Sequence, residues 1–441
     1  MTKRIILLAL LAATMTLRAQ ETVPPRQPIT LLNSANSSMH MLYDEPPSTL
    51  DMRLSENHLL LDIDAAGFFF DAEYATPMAK GYTVTGFRLS PTLVYGINNR
   101  AQLRVGLNAS LFAGLDSMYR LRPTFSLVYK PSEWLTLVAG TIYGSYSHRL
   151  DAPVYDPSRW IYNYQEDGLQ ILTKTKMWSS DTWLDWSHYL TPWTADQERF
   201  TMGSQHVVSF FKYTRTTGEP IRPCCAERKA VHDTMCIDTI VAFIGDCFRP
   251  ERQSFNIDIP FHFVASHRGG EVKTIDTNTV TTFNERIGVR LQYTSNKKHT
   301  HRFTLDLPFY YYQLEDKDLD NGGKGFYPML TYEFKSIDRN ERKGWSLLAS
   351  AGWWHGDHYF SAYGSPQFWS VNAYSSLHMP ANAATVNADM RNMLTFSAAV
   401  EHEYRGLNIG LNVNAYYDTD LKKTDLLFGF YMRFKGRFKL L

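Results

Sequence analysis

The chain has 441 residues, with 45 Lys and Arg against 44 Asp and Glu and a net charge of +1. That balance argues against a nucleic-acid partner, which calls for a basic face. Aromatic residues make up 14%, mostly Tyr and Phe, and no apolar run after the N-terminus reaches the roughly 18 residues of a spanning helix.

Residues 1–19 read as a secretory signal. Lys3-Arg4 give the positive start, Ile5 to Ala13 an apolar stretch, and Leu17-Arg18-Ala19 a small-residue cleavage site. Residues 20–57 are rich in Pro, Ser and Asn without a sustained period, as expected of a periplasmic lead-in.

From residue 58 to 441 strand-like segments follow one another. Leu59 to Ala72 sets Leu61, Ile63, Ala65 and Phe69 against Asp62, Asp64 and Ala66. Phe87 to Tyr95, Ala101 to Ala113 and Leu121 to Tyr129 alternate in the same way, and Trp134 to Tyr146 follows a turn at Pro131-Ser132-Glu133. A polar, aromatic loop is expected over 147–167. Strands are then expected near Leu169 to Trp178, Thr182 to Leu190 and Arg199 to Lys212, with an insertion at about 214–252. Further strands are expected at Ser254 to Ala265, Asn284 to Tyr293, Arg302 to Tyr312, Phe326 to Phe334, Trp345 to Trp353 and Met393 to Tyr404. Residues 355–389 read as a long loop or another strand pair.

The last hairpin is the cleanest. Leu407, Ile409, Leu411, Val413, Ala415 and Tyr417 share one face, and Leu426, Phe428, Phe430, Met432 and Phe434 share one after the turn. Each run has about ten residues, the length at which a tilted strand crosses a bilayer. This apolar-out, polar-in hairpin, ending near the C-terminus on an aromatic residue, resembles the closing strands of bacterial outer-membrane β-barrels of porin-like type. The resemblance implies an all-β, antiparallel up-and-down transmembrane barrel in the outer membrane of a Gram-negative bacterium. About 16 strands are expected (range about 12–18), with short periplasmic turns and longer extracellular loops. Trp134, Trp178, Trp183, Trp345, Trp353 and Tyr404 are expected to form the aromatic girdles.

Four cysteines, Cys224, Cys225, Cys236 and Cys247, fall inside the insertion. In an exported protein they predict disulfides, with bonds from Cys224 and Cys225 to Cys236 and Cys247 favoured and the connectivity open. A zinc site lacks the C-x2-C spacing. Asp316, Asp318, Asp320, Asn321 and Gly322 imitate a calcium loop, but Tyr327 stands where its last acid belongs. His355 and His358 have no third metal ligand in view, so no metal or cofactor is expected.

For a membrane hydrolase, His262 and Ser266 share a face but lie about 13 Å apart along a strand. Ser187 and His188 point to opposite faces. The inward positions Asp62, Asp64, Arg88, Arg104, Arg122, Asp258, Arg290, Arg302, Asp306, Asn412 and Arg433 read as a pore lining. The expectation is therefore a non-enzymatic, porin-like channel passing or binding small solutes through a water-filled lumen. Its other partners would be outer-membrane lipid and the barrel-insertion machinery. An outer-membrane hydrolase or lipid-modifying barrel, or a structural component of the envelope, is the alternative.

Overall fold

A computed structural model describes residues 56–114, 119–144, 147–189, 197–217, 251–269, 280–296, 299–315, 322–338, 343–371, 388–404 and 406–440. The expected secretory signal, the four cysteines and the acidic stretch 316–321 lie outside the described residues.

Seventeen strands form one antiparallel sheet: β1 (Leu59–Glu73), β2 (Tyr82–Gly96), β3 (Ala101–Phe112), β4 (Tyr119–Ser132), β5 (Leu135–Thr141), β6 (Asp167–Lys174), β7 (Trp178–His188), β8 (Glu198–Thr217), β9 (Glu251–Gly269), β10 (Val280–Asn296), β11 (Thr300–Glu315), β12 (Gly322–Phe326), β13 (Met329–Asp338), β14 (Lys343–Asp357), β15 (Met390–Tyr404), β16 (Leu407–Asp418) and β17 (Lys423–Lys439). β1 pairs with β17 from Leu60↔Lys439 to Glu73↔Leu426, which closes the barrel. Strands β12 and β13 both pair with β11 and β14 and form a single stave, broken at Tyr327-Pro328, where proline has no N–H for the ladder. Sixteen staves result, as the alternation predicts.

Closure pairs β1 with β17, so the sheet has no free edge strand facing lipid. Exposed apolar residues lie on the outer face, for example Val105, Leu107 and Leu111 of β3 and Leu411 and Val413 of β16. Buried polar residues alternate with them.

Short connections at 97–100, 133–134, 175–177, 297–299 and 405–406 join strands at one end of the barrel, the end at which 218–250 also joins β8 to β9, and the connections 142–166 and 358–389 join strands at the other. Two of the longer connections differ from simple loops. Residues 142–166, which include the one-turn helix α1 (Arg159–Tyr162), and residues 358–371 turn into the lumen. Val154, Trp160, Tyr359 and Phe368 are fully buried there. The two segments bind each other: Asp156 N donates to Tyr363 O (2.6 Å), Ser365 N to Ala152 O (2.8 Å), and Ser361 Oγ to Val154 O (3.0 Å). They therefore form a plug with its own apolar core, and the wall around it is apolar as well, with Phe68, Phe70, Phe112 and Trp354 pointing in. The expected water-filled lumen is thus occupied on the long-loop side.

The plug also explains a misplaced tryptophan. Trp183, expected in a girdle, is buried inside and stacks on His148 of the inserted segment (3.5 Å, 7°). It lies an odd number of residues from Trp178, which faces out, so the two must lie on opposite faces.

Candidate active site on the lipid-facing wall

The inward charges bind one another or the plug. Arg286 is the centre of the largest cluster. Its Nε donates to Asp151 of the plug (2.7 Å) and its Nη2 to Asp306 (2.6 Å), which also accepts from Arg290 (2.7 Å). Arg88 donates to Trp160 O (2.8 Å) and lies over the Trp160 and Tyr164 rings. Arg122 pairs with Asp167 (2.8 Å), Arg302 with Glu333 (3.3 Å), Arg433 with Asp64, and Asp62 with Arg437 (2.6 Å) and Arg104 (3.4 Å). Asp258 stands opposite Arg290 in register, and Asn412 is buried. Every residue expected to line a pore faces inward, most of them in ion pairs. The Asp62–Arg104 pair, at the short-turn end, keeps 19% side-chain exposure on both partners, so water reaches that half.

His148 illustrates the cost of burying charge. Its Nδ1 meets Asp181 (2.9 Å) and its Nε2 meets Glu166 (2.8 Å), which also accepts from Tyr155 (2.5 Å). Burial disfavours the imidazolium, yet the flanking Asp181 and Glu166 carboxylates outweigh it and raise the His148 pKa to about 9. Burial likewise works against the Glu166 carboxylate, and the His148 charge more than offsets it, leaving Glu166 below its ordinary range. With both ring nitrogens engaged, His148 cannot act as a base. It fastens the plug.

The outer wall holds a different arrangement. On β8, Met202 (42% exposed) and Val208 (40%) face out, while Thr201, Gly203 and Gln205 are buried, and Gln205 Nε2 donates to Arg149 O in the plug (3.3 Å). By strand alternation Ser204, itself only 6% exposed, and His206 share the outer face with Met202 and Val208. Their side chains bridge a two-residue step, with Ser204 Oγ 2.6 Å from His206 Nε2. Thr182 Oγ1, across the strand pair on β7, is 3.0 Å from Ser204 Oγ. The imidazole stacks on Phe261 of β9 (6.0 Å) and on Trp178 (5.9 Å). A polar triplet on an apolar wall facing lipid is costly, which makes it a candidate site.

Hydrogen-bond donors fix the protonation. Trp178 Nε1 donates to His206 Nδ1 (3.3 Å), and an indole nitrogen only donates. Nδ1 is therefore unprotonated, and a neutral imidazole carries its proton on Nε2, pointing at Ser204 Oγ. A serine is activated by a histidine in the opposite tautomer. The distances of a nucleophile–base pair are present, with the proton on the wrong nitrogen.

His355, on β14 at the long-loop rim, shows the opposite state. Asn392 Nδ2 donates to Asp420 Oδ2 (3.1 Å), which turns Asn392 Oδ1 toward His355 Nδ1 (2.9 Å). Nδ1 must carry the proton, and Nε2 presents a lone pair. Among the described residues no hydroxyl bonds it. His358 bonds Asp357 (2.7 Å).

Two other histidines weighed from sequence stay apart from the nearby serines. His262 accepts from Asp151 N (3.4 Å), whereas Ser266 bonds Thr282 (2.5 Å), and Ser187 donates to Arg199 O (3.1 Å). The Ser204-x-His206 step went unnoticed in the sequence, although same-face spacing on a strand is a sufficient signal for it.

The fold is similar to several solved outer-membrane proteins. They include OmpT of Vibrio cholerae (9% identity, 86% of this chain and 97% of that chain, TM-score 0.43) and OccAB4 of Acinetobacter baumannii (9%, 89% and 100%, 0.40). OccK2 of Pseudomonas aeruginosa is a third (9%, 88% and 99%, 0.43). No curated protein matches the sequence. The lipid A 3'-O-deacylase-type family model matches residues 50–220 and 245–441, which overturns the non-enzymatic expectation and points to an enzyme of the Gram-negative outer membrane. The chain belongs to the lipid A 3'-O-deacylase-type family.

Proposed function

We propose that this barrel hydrolyses acyl esters of membrane lipids at its outer wall, with Ser204 as nucleophile and His206 as base. The observation that carries the reading is the 2.6 Å approach of Ser204 Oγ to His206 Nε2 on a face turned to lipid. The family's description, a lipid A 3'-O-deacylase type, supports an acylated lipid as the substrate class. The plug favours a wall site over solute passage, because Trp160 and Phe368 are fully buried in the lumen on the long-loop side.

With Nε2 unprotonated, Ser204 Oγ attacks the ester carbonyl carbon and its proton passes to Nε2. The Thr182 hydroxyl is placed to donate to the developing oxyanion. The departing alkoxide takes the proton from Nε2, leaving an acyl-enzyme. Water then attacks the acyl carbon, gives its proton to Nε2, and Ser204 leaves with that proton.

Fatty-acid release from lipid A and from a diacyl phospholipid, each in mixed micelles, tests this by mass spectrometry. S204A should lower release at least about 10³-fold, while the heat-modifiable band of the folded barrel is kept. A folded S204A that releases fatty acid at the parent rate would sink the assignment.

A further inference from the structure

The hydrogen bond that disarms His206 comes from a side chain with a particular position. Trp178 is the first residue of β7, next to the turn at 175–177. Its backbone is pinned there: Thr175 N and Oγ1 both donate to Trp178 O (2.7 and 3.0 Å), and Trp178 N donates to Thr175 Oγ1 (2.9 Å). The indole is not pinned. It is 37% exposed on the outer face, and its N–H has the single partner His206 Nδ1. Thr182, beside Ser204, lies four residues farther along β7, about 13 Å. An ester entering from the headgroup level at this end passes the indole before it reaches Ser204.

We infer that Trp178 is a positioning residue and gate that holds His206 in the inactive tautomer until an acyl chain displaces the indole. This rests on the reading of Ser204 as nucleophile. When the indole leaves, Nδ1 takes a proton from interfacial water and Nε2 returns one to water, so the net charge is unchanged. Nε2 then accepts from Ser204 Oγ–H. The substrate that opens the gate is one whose apolar chain competes for the Trp178 and His206 ring faces, namely a long-chain lipid lying in the bilayer. A short soluble ester has no chain to do so and meets a closed site.

W178F tests the gate, because phenylalanine keeps a ring and removes the N–H. Three readouts apply to parent and variant in the same detergent: hydrolysis of p-nitrophenyl butyrate, labelling by a fluorophosphonate probe, and the His206 tautomer by ¹⁵N NMR. W178F is expected to raise butyrate hydrolysis and Ser204 labelling at least about tenfold, the advantage expected when the required tautomer no longer competes with a donor bond. The ratio of butyrate hydrolysis to long-chain lipid release should rise at least about tenfold, since lipid opens the gate in the parent and butyrate does not. The ¹⁵N spectrum should move from the Nε2–H form toward Nδ1–H. Unchanged labelling with an unchanged tautomer in a folded W178F, repeated in W178L, overturns the gate. A shifted tautomer with no labelling of Ser204 in any variant keeps Trp178 as the tautomer's determinant and overturns Ser204 as nucleophile.

Discussion

Two histidines on the outer wall divide the parts of a hydrolase between them. His206 has a serine at 2.6 Å, and an indole N–H that keeps the proton on the nitrogen facing it. His355 has an amide that keeps the proton on the far nitrogen, and no hydroxyl to activate. Distance alone ranks His206 as the finished site; tautomer alone ranks His355. The difference shows that proximity and proton placement are set by separate contacts. At His206 the second is reversible, because its determinant is an exposed side chain. At His355 the amide is fixed by the Asp420 carboxylate and by Thr419, whose N and Oγ1 both donate to Asn392 O (2.9 and 3.0 Å).

The largest expected effect separates the two directly. H206Q keeps a polar side chain and removes the base, so fatty-acid release should fall about 10³-fold. H355Q removes a histidine outside the machinery, and release should stay within about threefold of the parent; at most it loses one hydrogen bond at the β15 rim, about 1 kcal/mol. Release that survives H206Q and collapses in a folded H355Q would move the active site to the rim.

The buried His148 sharpens the contrast, since its two nitrogens both meet carboxylates and leave no base at all. H148F would strand Glu166 and Asp181 in a dry interior, and an uncompensated buried charge costs on the order of 3–5 kcal/mol. The His148 pKa is raised above its ordinary value near 6.5 to about 9. Its contribution is therefore complete below about pH 6.5 and is lost as the pH rises through about 9. Chymotrypsin cleavage within 142–166 should accelerate across that window in the parent. H148F should be cleaved readily at pH 6 as well. A parent cleavage rate that is flat from pH 6 to 10 would show that His148 does not fasten the plug.

Much of the wall was legible because a barrel strand is decided locally. Leu407 through Phe434 alternates so strictly that the expected hairpin and the observed register, Leu407↔Phe434, coincide. The plug was not legible. Residues 142–166 carry no period, and their partners lie far along the chain: Asp151 is 135 residues from Arg286, and Tyr359 is 206 from Pro153. The inward aromatics Phe68 and Phe70 hint at it, since a water-filled lumen has no use for them. Strand ends also moved. Trp178 opens β7 where it was expected to close the strand before it, and this places its indole beside His206, 28 residues away. The candidate site was half-legible. Ser204-x-His206 puts both side chains on one face, whereas the partner that sets the tautomer comes from the neighbouring strand and depends on the register Trp178↔Val208.

The smallest expected effect is a gain, and it asks whether the missing hydroxyl is all that His355 lacks. Position 353 stands to His355 as Ser204 stands to His206: two residues earlier on the same outward face, about 7 Å along the strand. W353S, made in the S204A background, places a hydroxyl where Trp353 now stacks on the His355 ring (5.9 Å). The Nε2 lone pair is already open there, and the Asn392–Asp420 relay holds the Nδ1 proton. Fluorophosphonate labelling at position 353 should therefore appear, roughly 10- to 100-fold slower than at Ser204 in the parent, where the Thr182 hydroxyl stands beside the nucleophile. Adding N392L should remove the label by freeing the tautomer, while W353A in the same background stays unlabelled throughout. If W353S is folded and unlabelled while Ser204 in the parent reacts, proton placement is not what separates the two sites, and the environment of Ser204 supplies something that the rim of β14 lacks.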